Sequence, residues 1–195
     1  MNHYPFPLKK LFLSIFLAVF FCISALAQKN ITMTFGKNGI IIYDAKQKTI
    51  SVSQSGKTVF SGAKTSVLVN GKTVTADSYP DAIFSKQTIK DDLGNGLKYT
   101  LTYKEKNNPT LIQSFYTYTN KTYFITQIEI VNNGKQIATN YISPLDLGKI
   151  AFDKIENLHS VFVPYDNDAF ISYNSKKLDT ISQNTSAEVG IIFNK

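Results

Sequence analysis

From Leu97 to Lys104 the chain alternates apolar and polar residues without a break. Leu97, Tyr99, Leu101 and Tyr103 fall on one face, and Lys98, Thr100, Thr102 and Lys104 on the other. A period of two is the pattern of an antiparallel strand with one face buried and one in water. Residues 122–131 repeat it: Phe124, Thr126, Ile128 and Ile130 share a face, opposite Gln127 and Glu129. Val, Ile, Thr, Tyr and Phe dominate the other apolar runs, and turn signals recur about every 8–12 residues, the spacing of an all-β sandwich or barrel. Asn70-Gly71, Asn95-Gly96 and Asn133-Gly134 carry the dipeptide that favours the positive φ angles of hairpin turns. Gly36 to Gly39 and Asp44 to Lys48 read as further turns.

These signals predict strands over 31–35, 39–43, 49–53, 58–61, 66–69, 72–76, 82–89 and 97–104. They continue over 111–119, 122–132, 138–143, 161–164, 169–173 and 187–193. Only 144–158 approaches a helical spacing, through Leu147, Ile150, Ala151, Ile155 and Leu158, and Gly148 weakens it. The predicted fold is all-β: one large, supersandwich-like antiparallel β-sandwich over residues 28–195.

Residues 1–27 read as a secretory signal. Lys9 and Lys10 precede the apolar run Leu11–Ile23, and Ala25 and Ala27 set a small-x-small cleavage pattern. The run is short for a bilayer span of about 20 residues. Cleavage leaves 195 − 27 = 168 residues. The expectation is an exported protein, periplasmic or extracellular, without a membrane span after processing. Cys22, the only cysteine, lies in the leader. The mature chain therefore has no thiol nucleophile, disulfide framework or cysteine–zinc site.

All 21 basic residues are lysine, against 14 acidic ones. Loss of Lys9 and Lys10 leaves 19 − 14 = +5. The lysines stand singly apart from Lys176-Lys177, and no arginine is present to read bases or phosphates. A nucleic-acid partner is not expected.

Catalytic patterns are missing. His159 is the only histidine after the leader, and there is no H-E-x-x-H or phosphate-cradling loop. Asp166-Asn167-Asp168 opens like a calcium loop, but Phe170 and Ile171 occupy its fifth and sixth positions. No metal or cofactor is expected. A polar loop between strands can contact ligand hydroxyls, so Asp166, Asn167, Asp168 and Tyr173 are the candidate ligand contacts. Tyrosine pairs Tyr99/Tyr103 and Tyr116/Tyr118 offer either core packing or sugar-stacking faces.

The phrase VFVPYDNDAFISYN at 161–174 carries a resemblance. Pro164, Tyr165, Asp166, Asn167, Asp168, Phe170, Tyr173 and Asn174 resemble the end of the N-terminal β-sandwich in α-galactosidase-like glycoside hydrolases of the melibiase clan. The stretch FGKNGIIIYDAKQKTISVSQSGKTVFSGAKTSVLVNG resembles the opening strands of such sandwiches. The resemblance implies a carbohydrate-related accessory sandwich that packs on a catalytic barrel. The clan's catalytic aspartates belong to that barrel, and none maps onto a residue here. No hydrolysis by this chain alone is expected. An apolar face left bare by a missing barrel would favour self-association. The alternatives are a secreted structural or interaction sandwich and a sugar-binding module.

Overall fold

The alternation at Leu97–Tyr103 marks an inner face. Tyr99, Leu101 and Tyr103 are buried and Leu97 packs against them, while Lys98, Thr100 and Thr102 stay partly exposed. The computed structural model describes residues 30–134, 136–147, 157–162, 175–180 and 190–194. The first five strands are β1 (Ile31–Phe35), β2 (Gly39–Asp44), β3 (Thr49–Gln54), β4 (Lys57–Val69) and β5 (Lys72–Thr75). Next come β6 (Ala82–Asp91), β7 (Gly94–Tyr103), β8 (Thr110–Tyr118), β9 (Phe124–Val131) and β10 (Ile142–Asp146). The last are β11 (Leu158–Phe162), β12 (Lys176–Lys177) and β13 (Gly190–Asn194). The fold is all-β, and every pairing among the described residues is antiparallel.

The chain forms two units, Met1–Lys149 and Ile150–Lys195. In the first, one sheet runs β1-β2-β3-β4-β10, with β5 also on β4, and a second runs β6-β7-β8-β9. Met33, Ile41, Tyr43 and Val67 from the first sheet share one core with Leu101, Leu111 and Phe115 from the second. The two inner faces thus pack as a sandwich, which removes the apolar side of each sheet from water. In the second unit, β11 lies between β12 and β13.

Turn chemistry explains most of the hairpins. Asn70 and Gly71 take φ +50° and +78°, the paired positive angles of a tight two-residue loop. Asp44 Oδ1 accepts hydrogen bonds from the Lys46 and Gln47 backbone N–H groups, at 2.9 and 2.8 Å. The β6–β7 turn departs from expectation. It falls at Asp92-Leu93, closed by Leu93 N–H donating to Asp91 Oδ1 at 2.9 Å. Asn95 and Gly96 pair with Lys90 and Ile89 inside the ladder. Segments 58–61 and 66–69 merge into β4. Pro144–Asp146 belongs to β10 instead of a helix, and the strand expected at 138–143 is shifted to the same place. Ala138 and Tyr141 still accept hydrogen bonds from Asn70 and Leu68 of the neighbouring hairpin, each at 2.9 Å.

Strand β6 is one of the two outer strands of the second sheet and is exposed along almost its whole length. Ile83 and Phe84 lie on opposite faces of it and are both exposed. Such an edge templates pairing with another chain unless charge blocks it. Lys86 and Lys90 supply that charge, and the Lys86 ammonium lies 5.4 Å from the Tyr99 ring centroid. Replacing Lys86 with Val should make the edge adhesive. Sedimentation velocity should show oligomers or precipitate at concentrations where the parent protein keeps one boundary. Identical profiles would mean that Lys86 does not guard the edge.

Candidate ligand groove

Among the described residues, strand β4 is the longest, and it is irregular. Val52 of β3 pairs with Phe60 and Ser53 with Thr58, leaving Val59 as an extra residue. A second extra residue lies between the Val52–Phe60 and Ile50–Ala63 pairs, beside Gly62 at φ +76°. Bulges re-aim side chains that a regular strand would send to opposite faces. Here Val59 and Phe60, adjacent in sequence, both line one groove.

The groove lies at one end of the sandwich and has a volume of about 440 Å³. Val52 and Gln54 of β3 and Phe35 of β1 form one side with the two β4 residues. The turn from β8 into β9 supplies Thr122, Tyr123 and Phe124. The aromatic floor is held in place: the Phe35 and Phe124 rings meet edge-to-face at 5.2 Å, and Phe124 lies 6.2 Å from Phe115. Gly39 makes room for this. A Cβ there would come within 2.5 Å of the Phe35 ring.

Two features set this groove apart from plain core. Tyr123 and Val59 keep 44% and 41% of their surface exposed at its rim, so apolar area is on offer to a ligand. Gln54 Oε1 is enclosed and accepts no hydrogen bond among the described residues. An enclosed carbonyl without a donor costs about 1–3 kcal/mol.

Among the described residues, no carboxylate, imidazole, thiol or amine lines the groove. Several carboxylates of the first unit are engaged elsewhere. Asp91 accepts from the Tyr118 hydroxyl at 2.5 Å, Glu105 caps the Asn107 and Asn108 N–H groups, and Asp77 pairs with Lys64. The Asp91 contact holds the Tyr118 phenol in its neutral form, pushing its pKa up to about 12 with help from burial. Among the described residues, no three His, Cys, Asp or Glu side chains gather as metal ligands. His159, in the second unit, lies 5.7 Å from the Phe193 ring, and its Nδ1 has no hydrogen-bond partner among the described residues.

Asp166, Asn167, Asp168 and Tyr173 lie outside the described residues, as does the whole of 163–174. The tyrosine pairs divide. Tyr99 and Tyr103 are core residues. Tyr116 points to the opposite sheet face, where its hydroxyl donates to Gln127 at 2.9 Å and Lys98 lies over its ring. Neither pair reaches the groove. Tyr123, which does, stands in the turn between two strands, where no periodic pattern singles it out.

No family model, curated protein or solved structure matches this chain. Among the described residues, no helix is long and apolar enough to cross a membrane.

Proposed function

We propose that this chain is an exported, carbohydrate-related accessory β-sandwich that binds sugar through the end groove and is not catalytic by itself. The observation that carries this reading is the exposed ring of Tyr123 at the rim of a largely apolar groove. A pyranose has an apolar face that stacks on an aromatic ring and hydroxyls that hydrogen-bond with polar side chains such as Thr122. Binding sites of this kind are mostly apolar with a few placed polar groups. Asp166, Asn167, Asp168 and Tyr173, which lie outside the described residues, remain separate candidate ligand contacts.

Affinity electrophoresis of the purified protein through gels containing soluble polysaccharides tests it. At least one polysaccharide should retard the protein. Tyr123→Ala should weaken that retardation about tenfold or more, in line with a stacking contribution of about 1.5 kcal/mol, without lowering the melting temperature by more than a few degrees. Unchanged mobility of the parent protein across a broad panel would overturn the proposal.

A further inference from the structure

Resting on that reading of the groove, we infer that its ligand is an acidic polysaccharide whose anionic groups meet Lys37, Lys57 and Lys121. Three turns frame the groove end, and they adjoin one another. The Ser55 N–H of the β3–β4 turn donates to the Asn38 carbonyl of the β1–β2 turn at 3.0 Å. Gly36, also in the β1–β2 turn, abuts the β8–β9 turn: a Cβ on it would lie 3.0 Å from the Lys121 carbonyl oxygen. Each turn brings one lysine close in sequence to a groove residue. Lys37 follows Phe35 by two positions, Lys57 precedes Val59 by two, and Lys121 directly precedes Thr122. Lys57 is also the cross-strand partner of Gln54. Directly opposed residues share one face of a sheet, so Lys57 rises from the face that presents Gln54 to the groove. Lys37 and Lys57 are exposed and Lys121 is half-buried.

The charge around them is one-sided. No aspartate or glutamate stands at 36–38, 55–57 or 119–123, and none lines the groove among the described residues. At this end of the second sheet, Asp91 and Asp92 stand at the β6–β7 turn, with β8 between that turn and β9, and Asp91 accepts from the Tyr118 hydroxyl. Three ammonium groups on adjoining turns repel one another, and anions placed among them relieve that repulsion. The exposed Thr122 and Tyr123 hydroxyls are donors on the groove wall, available to a carboxylate or sulfate oxygen. The Tyr123 ring adds a stacking surface, which suits a sugar chain as the carrier of the anions. An ammonium is a point charge, so carboxylate and sulfate are alike to it.

Binding of polygalacturonate, dextran sulfate and a neutral galactomannan should be measured at about 50 and about 500 mM NaCl, a range over which exposed charges become screened. At the lower salt, at least one acidic polymer should bind about tenfold tighter than galactomannan. Its affinity should fall about fivefold or more at the higher salt. Which of the two binds tells carboxylate from sulfate. Lys37→Gln together with Lys121→Gln should weaken that binding about fivefold, equivalent to about 1 kcal/mol, the sum expected of two exposed ion pairs. Lys46→Gln together with Lys104→Gln removes the same charge from turns at the opposite end of the sandwich and should change it less than about twofold.

Equal losses from the two double variants would show binding to net charge alone and overturn the inference. So would galactomannan binding as tight as that of both acidic polymers, and the sugar-binding role would then stand. Acidic-polymer binding that Tyr123→Ala leaves undiminished would seat the polyanion on the lysines without the groove and overturn both readings. Failure of all three polymers to bind overturns the inference alone if another polysaccharide retards the protein, and both readings if none does.

Discussion

Gln113→Ala should destabilise the sandwich by about 4 kcal/mol, a loss large enough to threaten folding at ordinary temperature. Gln113 is fully buried, with no exposed surface, on the inner face of β8. Its Oε1 accepts from the Thr65 hydroxyl of β4 at 2.5 Å, and its Nε2 donates to the Pro144 carbonyl of β10 at 2.6 Å. One amide therefore ties the second sheet to two strands of the first. Truncation leaves a cavity and strips both short bonds, leaving the buried Thr65 hydroxyl only the long 3.5 Å contact to the half-buried Pro144 carbonyl. Gln113→Leu fills the space but leaves the polar groups unmet, so it should cost about half as much. Urea unfolding followed by circular dichroism measures both. A loss below about 1 kcal/mol for Gln113→Ala would show that water or local movement satisfies Thr65 and Pro144. Since small domains hold only about 5–15 kcal/mol in all, the alanine variant should also show a much lower midpoint.

Gln113 also shows where the period of two stops informing. Its strand places Leu111, Gln113, Phe115 and Thr117 inward, and two of these four are polar. Strand β7, with four apolar residues inward, is legible from its sequence; β8 is legible as a strand but not by face. Sheet pairing follows the same division. Asn70-Gly71 turns where its dipeptide predicts, because nothing nearby competes. Asn95-Gly96 does not, because Asp91 caps the turn just before it and Gly94 takes φ +117°. The β3–β4 turn at Ser55-Gly56, with φ +51° and +78°, has the chemistry of a tight hairpin without the Asn-Gly pair that announces one.

The groove lies beyond sequence pattern for a physical reason. Its walls come from β1, β3, β4 and the β8–β9 turn, which only the sandwich brings together. The bulge at Val59 then breaks the alternation that would assign faces. One local signal does point toward it: VF at 59–60 followed by Ser61-Gly62 interrupts a strand with a glycine, a mark of bulges as much as of chain breaks.

Stability should fall steeply between pH 10 and pH 12, driven by tyrosines that the fold keeps neutral. Burial raises the Tyr43 and Tyr103 phenols above the usual tyrosine value. Burial, with the Glu105 charge adding, pushes Tyr79 up to about 12. These rings form one cluster, Tyr79 and Tyr43 lying 5.8 and 6.5 Å from Tyr103. The Tyr79 hydroxyl donates to the Pro109 carbonyl at 2.7 Å. In the unfolded chain a tyrosine ionises near pH 10. Below that pH both states hold the proton and the full stability is present. Between pH 10 and pH 12 the unfolded chain releases protons that the native state retains, so stability drops as pH rises. Denaturant melts from pH 8 to pH 12 should trace this fall, with phenolate absorbance appearing together with the loss of β signal. Tyr79→Phe isolates one member of the cluster. It should be about 1 kcal/mol less stable at pH 8, having lost the bond to Pro109. Its decline between pH 10 and pH 12 should be shallower, because one proton fewer is at stake, and ionisations common to both proteins cancel in the comparison. Parallel curves for the two proteins would mean that Tyr79 ionises as readily in the folded chain as in the unfolded one, and the alkaline limit of the fold would then lie with other groups.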